Sequence, residues 1–577
     1  MNSQSPWKET FWVGLIAGVV VVSVSAIGMV ETFNERDVIT DLLTLGQILL
    51  FGAPAVAGFL AVRRNKVREP VLAVAHGALA GLLTGLLVVG LILLMVVFPD
   101  IRSKLVNLSQ PLLEILTFGQ GAALGSLLVI VTNLFLGVIG AVLMILPERP
   151  RTAILHAVGA TLALGLLSEI LRSILQPLPR NIVRIFIGPK GIEPLTAVLV
   201  LVLSLVISYW WQGSGRERVT ARRQNMTPTR QRQSKIAGRI IAALLLLGLP
   251  FYLGQYLTEV VDTIGLFILM GFGLNIVVGF AGLLDLGYVA FYAIGAYTMG
   301  LLTSSGDLGI MEPLGLEPMS FWLALPICIL AATAAGVILG TPVLRMRGDY
   351  LAIVTLGFGE IIRVLVISDL LKPVIGGAQG ILQIENPQFL NFVFFRPQHF
   401  YYIILGGCVL AAFVSWRLRD ARLGRRWMAM REDEDVAEAM GIHLVSTKLL
   451  AFGLGAAFAG LAGAIFASKL GSIFPNSFEL LISINVLSLI IVGGMGSLPG
   501  VVVGALVLVG LPELLREFAE YRLLIYGAVL IAMMVAKPEG LWPSPVLRRE
   551  LHADEEESDE QAQELMEVEA DGAIISE

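Results

Sequence analysis

Runs of about 20 apolar residues recur along almost the whole chain, and this is the length that an α-helix needs to cross the hydrocarbon core of a bilayer. Hydrophobic residues make up 56% of the 577 residues and charged residues only 15%, whereas an ordinary soluble domain has roughly 25% charged residues. A soluble enzyme is therefore excluded. The sequence predicts an all-α, polytopic integral membrane protein with about 14–16 transmembrane segments.

The predicted spans form two blocks. Those of the first block lie at about 11–30, 38–62, 71–98, 121–146, 152–176 and 194–211. Those of the second block lie at about 240–256, 258–280, 281–303, 320–343, 350–368, 400–416, 447–469, 482–511 and 521–536. The run 482–511 is too long for one straight span, so we expect it to be broken.

Two strongly charged stretches lie outside these blocks. Residues 212–239 hold seven Arg and one Lys against a single acid, and residues 550–577 hold twelve acids and no Lys or Arg. The first stretch is typical of a solvated connector, which we favour over a lipid-headgroup or partner patch. The second is typical of a disordered tail. The predicted organisation is a six-span N-terminal membrane extension (1–211), a basic linker (212–239), a second membrane domain (240–543) and an acidic, disordered C-terminal tail (544–577).

Lys and Arg concentrate in cytoplasmic loops of membrane proteins, which predicts the orientation of the chain. Four basic residues lie within 63–68 and six Arg lie within 417–431, whereas the loop 304–319 has three acids and no Lys or Arg. This pattern predicts that the N-terminus, the linker and the C-terminus are all cytoplasmic.

Motifs for catalysis or nucleotide binding are missing from the sequence. It contains no GxxxxGK[ST] phosphate loop, no HExxH and no GxSxG, and its five histidines are scattered. We therefore predict that the chain is not an enzyme, has no catalytic residue, and binds no metal or cofactor. If ATP drives this protein, a separate chain must bind it.

Glycine recurs inside two of the apolar runs, and aligning Ile276 with Ile490 sets IVVGFAGLL against IIVGGMGSL. Paired glycine-interrupted segments are a pointer to a transport path, because broken helices expose backbone groups to a polar substrate. Close helix packing also uses glycine, and both interpretations stay open. The predicted path residues are Asn275, Gly279, Gly282, Asp285, Gly287, Tyr292, Gly493, Gly494 and Gly496.

Charged residues within the predicted spans are costly, so they are usually paired or face water. Glu360 and Arg363 are three residues apart and would share a helical face, so a structural pair is favoured over a substrate role. Asp285 has no partner at helical spacing and is the stronger functional candidate, unless it lies at the membrane surface. Asp349 is a further charged residue in this region.

The stretch REDEDVAEAMGI predicts a short helix from Arg431 to Met440 that ends at Gly441. Arg431 lies four residues before Asp435, the spacing of an ion pair. Val436 and Met440 would form a small apolar edge. Such a helix suits docking into a groove of a partner, and a solvated loop helix explains it equally well.

The second membrane domain resembles the permease subunits of branched-chain amino acid ABC importers, of the LivM type. The strings that carry the resemblance are GLNIVVGFAGLLDLGYVAFYAIGAY, LRMRGDYLAIVTLGFGEIIRVL, LGRRWMAMREDEDVAEAMGI, VLSLIIVGGMGSLPG and KPEGLWP, in this order. The resemblance implies an ABC importer permease fold for residues 240–543, in a bacterial inner membrane. It also implies that the REDEDVAEAMGI loop couples to the ATPase, through Arg431, Glu432, Asp433, Glu434, Glu438, Ala439 and Gly441.

The implied partners are ATP-binding cassette subunits, which hold ATP and magnesium, a second permease subunit, a periplasmic substrate-binding protein and membrane lipid, without nucleic acid. The implied cargo is a branched-chain or other neutral amino acid, or an amide such as urea. Residues 1–211 and the acidic tail lie outside the resemblance. Two other classes remain open: a secondary transporter in which Asp285 or Glu360 takes up a proton, and a membrane scaffold or sensor.

Overall fold

The computed structural model of the protein describes residues 6–67, 69–98, 100, 105–175, 179–188, 191–215, 228–306, 308, 317–343, 346, 348–390, 392–514 and 521–544. The chain divides into two compact units, residues 1–246 and 247–577. Within the described residues, 11 helices are long and apolar enough to cross a membrane, and three shorter apolar helices accompany them. The predicted all-α, polytopic class is confirmed.

The first unit consists of helices and one antiparallel hairpin. Its helices are α1 (Pro6–Ala26), α2 (Met29–Asn34), α3 (Leu45–Arg64), α4 (Pro70–Val97), α5 (Gln110–Leu116), α6 (Ala122–Ile145), α7 (Glu148–Leu166), α8 (Ser168–Ile174), α9 (Arg180–Phe186) and α10 (Pro194–Trp210), and its hairpin pairs β1 (Asp37–Ile39) with β2 (Leu43–Thr44). Glycines let α4 and α6 approach closely: a Cβ at Gly77 would lie 2.6 Å from the carbonyl oxygen of Gly137. This packing by small residues is typical of membrane helices.

Two predicted spans of this unit differ from the structure. The prediction of one span over 152–176 was wrong, because α7 ends at Leu166 and α8 begins at Ser168. The guanidinium of Arg36 donates to the carbonyl oxygen of Leu166 at 2.7 Å, where the helix ends. The predicted span 38–62 begins later, at Leu45, because the preceding residues form the β-hairpin and the Thr44 side chain caps α3.

The second unit contains the remaining elements, the first of which starts before the unit boundary. Its helices are α11 (Pro228–Leu274), α12 (Val289–Thr303), α13 (Phe321–Val343), α14 (Asp349–Ile367), α15 (Lys372–Ile375), α16 (Pro397–Arg419), α17 (Arg422–Glu432), α18 (Glu434–Ala439), α19 (Leu444–Leu470), α20 (Leu480–Gly493), α21 (Leu498–Leu508), α22 (Gly510–Leu514) and α23 (Arg522–Ala536), and β3 (Gln388–Phe389) pairs with β4 (Phe392–Val393). Gly254 has a positive φ of 71° and interrupts α11. The interruption falls inside the predicted span 240–256, close to its end.

Helix α19 lies at the centre of this unit, and its small residues let α12 and α13 approach. A Cβ at Gly463 would lie 2.9 Å from the backbone nitrogen of Ala296 in α12, and one at Gly460 would lie 3.2 Å from the carbonyl oxygen of Cys328 in α13. Close backbone contact at these glycines therefore brings α12 and α13 against α19.

The spans that contain the glycine motifs are both interrupted. Helix α20 ends at Gly493 and α21 begins at Leu498, so the predicted break in the run 482–511 is confirmed. The prediction of a span over 281–303 was wrong at its start, because α12 begins only at Val289. The residues before it leave the helical path at Gly282, whose φ is 71°.

Candidate functional site

The first break, residues 275–288, follows α11 and precedes α12. It begins with a π-helical turn over Asn275–Phe280 and continues without helix to Val289. Backbone amides that would bond within a helix are instead bound by side chains: Leu286 N donates to Thr355 Oγ1 at 3.0 Å and Val289 N to Ser483 Oγ at 2.8 Å. The backbone amides freed by this break are thus satisfied by side chains of neighbouring helices.

The second break, residues 494–497, separates α20 from α21. Gly494 and Gly496 have positive φ of 116° and 74°, and the Ser497 side chain accepts from Gly500 N at 3.1 Å to cap α21. The carbonyl groups freed at the end of α20 are bound by the KPEGLWP segment, because Trp542 N donates to Gly493 O at 2.9 Å. In the aligned motifs Gly282 and Gly496 occupy the same position and adopt nearly the same φ, 71° and 74°.

The two breaks meet at one point, which we call the joint. The backbone N–H of Gly496 donates to Asn275 Oδ1 at 2.9 Å, and both residues are buried. A Cβ at Gly279 would lie 2.7 Å from Gly496 N, so only glycine fits at this position. Asn275 Nδ2 is buried without a hydrogen-bond partner in the described part of the chain. The joint therefore brings together Asn275, Gly279 and Gly496 from the predicted set.

Three of the predicted path residues, Asp285, Gly287 and Tyr292, lie further along the chain, in the turn before α12 and in α12 itself. Asp285 is fully buried, and its Oδ1 accepts from Gly287 N at 2.9 Å in the turn before α12, while its Oδ2 has no partner among the described residues. Gly287 packs against the backbone of α14. The Tyr292 ring packs between Phe466 and Phe478, with centroid distances of 5.3 and 5.5 Å, so it belongs to an aromatic cluster.

The charged residues of α14 form the pair that their spacing predicts. Arg363 Nε donates to both carboxylate oxygens of Glu360 at 3.0 Å, and both side chains are partly exposed. Asp349 is the first residue of α14, but its side chain lies outside the described part of the structure. The charge of Glu360 is thus neutralised locally.

Residues 422–439 form two short helices, which we call the arm. The prediction of one helix over Arg431–Met440 was wrong, because the chain leaves the helix at Asp433, where φ is −156°. The carboxylate of Asp433 accepts from Val436 N at 3.0 Å and starts a new helix, α18. Asp is a good N-cap because its side chain competes with the helix for backbone amides. The predicted stop at Gly441 is confirmed by its φ of 84° and by a bond from Ile442 N to Ala437 O of 3.0 Å.

Arg431 connects the arm to the joint. Its Nη1 donates to the carbonyl oxygen of Gly279 at 3.0 Å, and its Nη2 donates to Glu432 Oε1 at 2.9 Å. The predicted pairing of Arg431 with Asp435 assumed one continuous helix, and the chain instead leaves the helix at Asp433, between the two residues. Arg431 can pack here because Gly282 has no side chain: a Cβ at Gly282 would lie 3.1 Å from Arg431 Cβ.

Two further residues, absent from the sequence-based site, fix the arm to α19. The indole N–H of the buried Trp427 donates to Thr447 O at 2.8 Å. Lys448 is only 2% exposed, and its Nζ lies 2.8 Å from Glu434 Oε1. A Lys at the start of an apolar span, 14 residues after Glu434 of the acid-rich stretch, was the available signal for this pair.

A cavity of about 450 Å³ lies beside the joint and the arm. It is lined by Gly279, Phe280, Arg419, Asp420, Met428, Ala429, Arg431, Glu432, Gly496 and Ser544. In the described residues, no group of three or more His, Cys, Asp or Glu side chains could hold a metal ion.

These features define a class: a multi-pass helical membrane protein whose two glycine-broken segments meet in its core, as in transport proteins. A model of the family described as "Branched-chain amino acid transport system / permease component" matches residues 256–534. The chain is 41% identical over 328 residues, 52% of this chain and 74% of the relative, to the high-affinity branched-chain amino acid transport system permease protein LivM of Escherichia coli K12.

Two other relatives extend this result. The chain is 24% identical over 319 residues, 48% of this chain and 91% of the relative, to the probable branched-chain amino acid transport permease protein LivM of Methanocaldococcus jannaschii. It is 30% identical over 135 residues, 23% of this chain and 43% of the relative, to the permease protein LivH of Escherichia coli K12. No solved structure matches the chain. The chain belongs to the branched-chain amino acid transport permease family, of the LivM type.

Proposed function

We propose that the chain is a transmembrane permease subunit of an ATP-driven importer for branched-chain or related neutral amino acids. The observation that carries this proposal is the contact between Arg431 of the arm and the carbonyl oxygen of Gly279, which belongs to the joint. A transporter of this kind needs a pathway that can open on either side and a lever that connects it to the energy source. The two breaks are suited to the first role and the arm to the second.

The breaks would line the path because irregular backbone at membrane depth occurs where it is buried in protein or borders a polar cavity. The substrate arrives from a periplasmic binding protein and passes along residues 275–287 and 493–500. The path residues at the joint are Asn275, Gly279 and Gly496. Asp285, Gly287 and Tyr292 support the helix that follows the first break.

The arm would dock on an ATP-binding cassette subunit, which carries ATP and magnesium. Val436 and Met440 are 58% and 79% exposed and offer an apolar edge, and Glu432 and Glu438 are exposed beside them. Motion of the ATPase would reach the joint through Arg431 and would reach α19 through Trp427 and Lys448. Hydrolysis itself takes place on the partner chain.

The membrane is the bacterial inner membrane, with the arm and both termini on the cytoplasmic side, as the Arg-rich segments favour. Because the chain is similar to both LivM and LivH proteins, a pore formed with a second, related permease is supported. Residues 1–211 form an N-terminal membrane extension, 212–239 a basic cytoplasmic linker, 240–543 the permease domain and 544–577 an acidic tail. The family match begins at residue 256.

The test is reconstitution of the chain in liposomes with its second permease and ATPase subunits. Binding protein and radiolabelled leucine are added outside the liposomes, and the leucine that accumulates inside them is measured. ATP-dependent uptake that requires all the subunits would support the proposal. Uptake by this chain alone, driven by a proton gradient, would replace it with the secondary transporter. That alternative has one observation in its favour, the buried Asp285 oxygen without a partner among the described residues, so Asp285→Asn would then abolish uptake.

A further inference from the structure

The cavity beside the arm combines charged and apolar surface in one small volume. Four of its lining residues are charged, Arg419, Asp420, Arg431 and Glu432, and Phe280 and Met428 add apolar surface. Its volume of about 450 Å³ falls within the roughly 300–1,000 Å³ of small-molecule sites. A small ligand with both signs of charge and a hydrocarbon part matches this lining.

The charged residues form two ion pairs, each between adjacent residues of the chain, and breaking either pair costs little free energy. Arg419 Nε lies 3.1 Å from Asp420 Oδ1, and Arg431 Nη2 lies 2.9 Å from Glu432 Oε1. The acidic side chains are 53% and 64% exposed, and exposed pairs of this kind contribute little to stability. A ligand with an ammonium and a carboxylate can therefore replace these partners, the carboxylate binding an Arg and the ammonium an acid. A singly charged ligand would leave one sign of charge unmatched.

The cavity also borders the contact that we assign to coupling. Gly279 and Gly496 of the joint line it, and so does Arg431, which donates to Gly279 O at 3.0 Å. A molecule bound here would touch the arm and the joint together. It would hold the two in one arrangement, because it would bind that arrangement more tightly than any other.

We propose that this cavity is a regulatory site for a free, branched-chain amino acid on the side of the membrane from which the arm projects. The proposal rests on the proposed function, since it takes the cargo to be of that class and the arm to be on the side of release. Amino acid that accumulates after import would bind between arm and joint and slow the transport cycle.

Binding is measured first, with the full-length chain in lipid nanodiscs and radiolabelled leucine. The comparison ligands are 4-methylpentanoate and 3-methylbutylamine, which keep the hydrocarbon part but carry one charge each. We expect leucine to bind and the two analogues to compete weakly. Asp420→Asn and Arg419→Gln should each weaken leucine binding about tenfold, because each removes one charge-assisted bond.

Arg426→Gln is the matched control, since Arg426 is exposed on the same arm and does not line the cavity. It should bind leucine as the unmodified chain does. Met428→Trp, which fills the cavity and keeps all four charges, is the second test and should block binding. Leucine binding that is unchanged in Asp420→Asn, Arg419→Gln and Met428→Trp would overturn the proposal.

The complete importer then separates this proposal from the proposed function. Leucine on the ATPase side should inhibit ATP-driven uptake. Asp420→Asn should relieve this inhibition, while its uptake without leucine on the ATPase side stays normal. Uptake that ignores leucine on the ATPase side overturns the regulatory site alone. Absence of ATP-driven uptake in the unmodified complex overturns the proposed function, while the nanodisc measurement still decides whether the cavity binds leucine.

Discussion

The amide oxygen of Asn275 accepts a hydrogen bond from the backbone N–H of Gly496, a residue 221 positions further along the chain. This single bond connects the end of α11 to the gap between α20 and α21. The two segments are the ones whose glycine patterns match in the sequence. Two broken helices are therefore held face to face by one side chain.

Asn275→Ala should destabilise the chain and disturb the joint. It leaves the buried Gly496 N–H without its partner, which costs about 1–3 kcal/mol. The measurement is the thermal unfolding midpoint in detergent together with leucine uptake by the reconstituted importer. Asn485→Ala is the control, because it removes a half-buried bond to Tyr526 OH away from the joint. Equal effects of the two substitutions on uptake would argue against a special role for the joint.

Gly279→Ala should be poorly tolerated, because its Cβ would lie 2.7 Å from Gly496 N. Overpacking of this kind costs about 1–3 kcal/mol, and here it would push the two breaks apart. Gly406→Ala in α16 is the matched control, since a Cβ there meets nothing within 4 Å. Replacing glycine in a helix interior by Ala stabilises by roughly 0.5–1 kcal/mol, so the two substitutions should shift the unfolding midpoint in opposite directions.

Arg431→Lys should impair coupling although it keeps the charge. Lys cannot contact Glu432 and Gly279 O with separate nitrogens of a planar group, as Arg431 does. We expect ATP hydrolysis by the complex to continue while leucine uptake per ATP falls. Both rates should be measured in the same liposome preparation. Arg426→Gln, on the same arm, should leave the ratio unchanged, and a normal ratio in Arg431→Lys would remove Arg431 from the coupling path.

The sequence predicted much of this fold and only part of the site. Span positions follow from apolar length, and the breaks follow from glycine content, because both are local properties. The joint could not be predicted, because it depends on how distant spans pack. Asp433 ends one helix and starts another, because its carboxylate binds the backbone amides of the next turn. The sequence pattern did not single out Asp433 from the other acids of this stretch. Lys448 was overlooked because its contact with Glu434 depends on how the arm packs against α19.

Lys448→Met should be strongly destabilising. Removing one member of a buried ion pair costs about 3–5 kcal/mol, because the other charge is left without compensation, and Lys448 is 2% exposed. The double variant Lys448→Met/Glu434→Gln should recover most of the loss, and the coupling energy follows from a double-mutant cycle on the unfolding midpoints. The same cycle on the partly exposed Glu360 and Arg363 serves as the comparison and should give a much smaller coupling energy.

Val436→Asp and Met440→Asp should leave the chain folded but release the ATPase. Both side chains are largely exposed, so the substitutions remove little internal packing, and their effect on the unfolding midpoint should be small. In a docked complex the same atoms would be buried in a groove of the partner, where a charge is costly. The measurement is co-purification of the ATPase subunits in mild detergent. Leu390→Asp is the control, because Leu390 is 90% exposed at the β3–β4 hairpin. If the ATPase still co-purifies with both variants, its docking surface lies elsewhere on the chain.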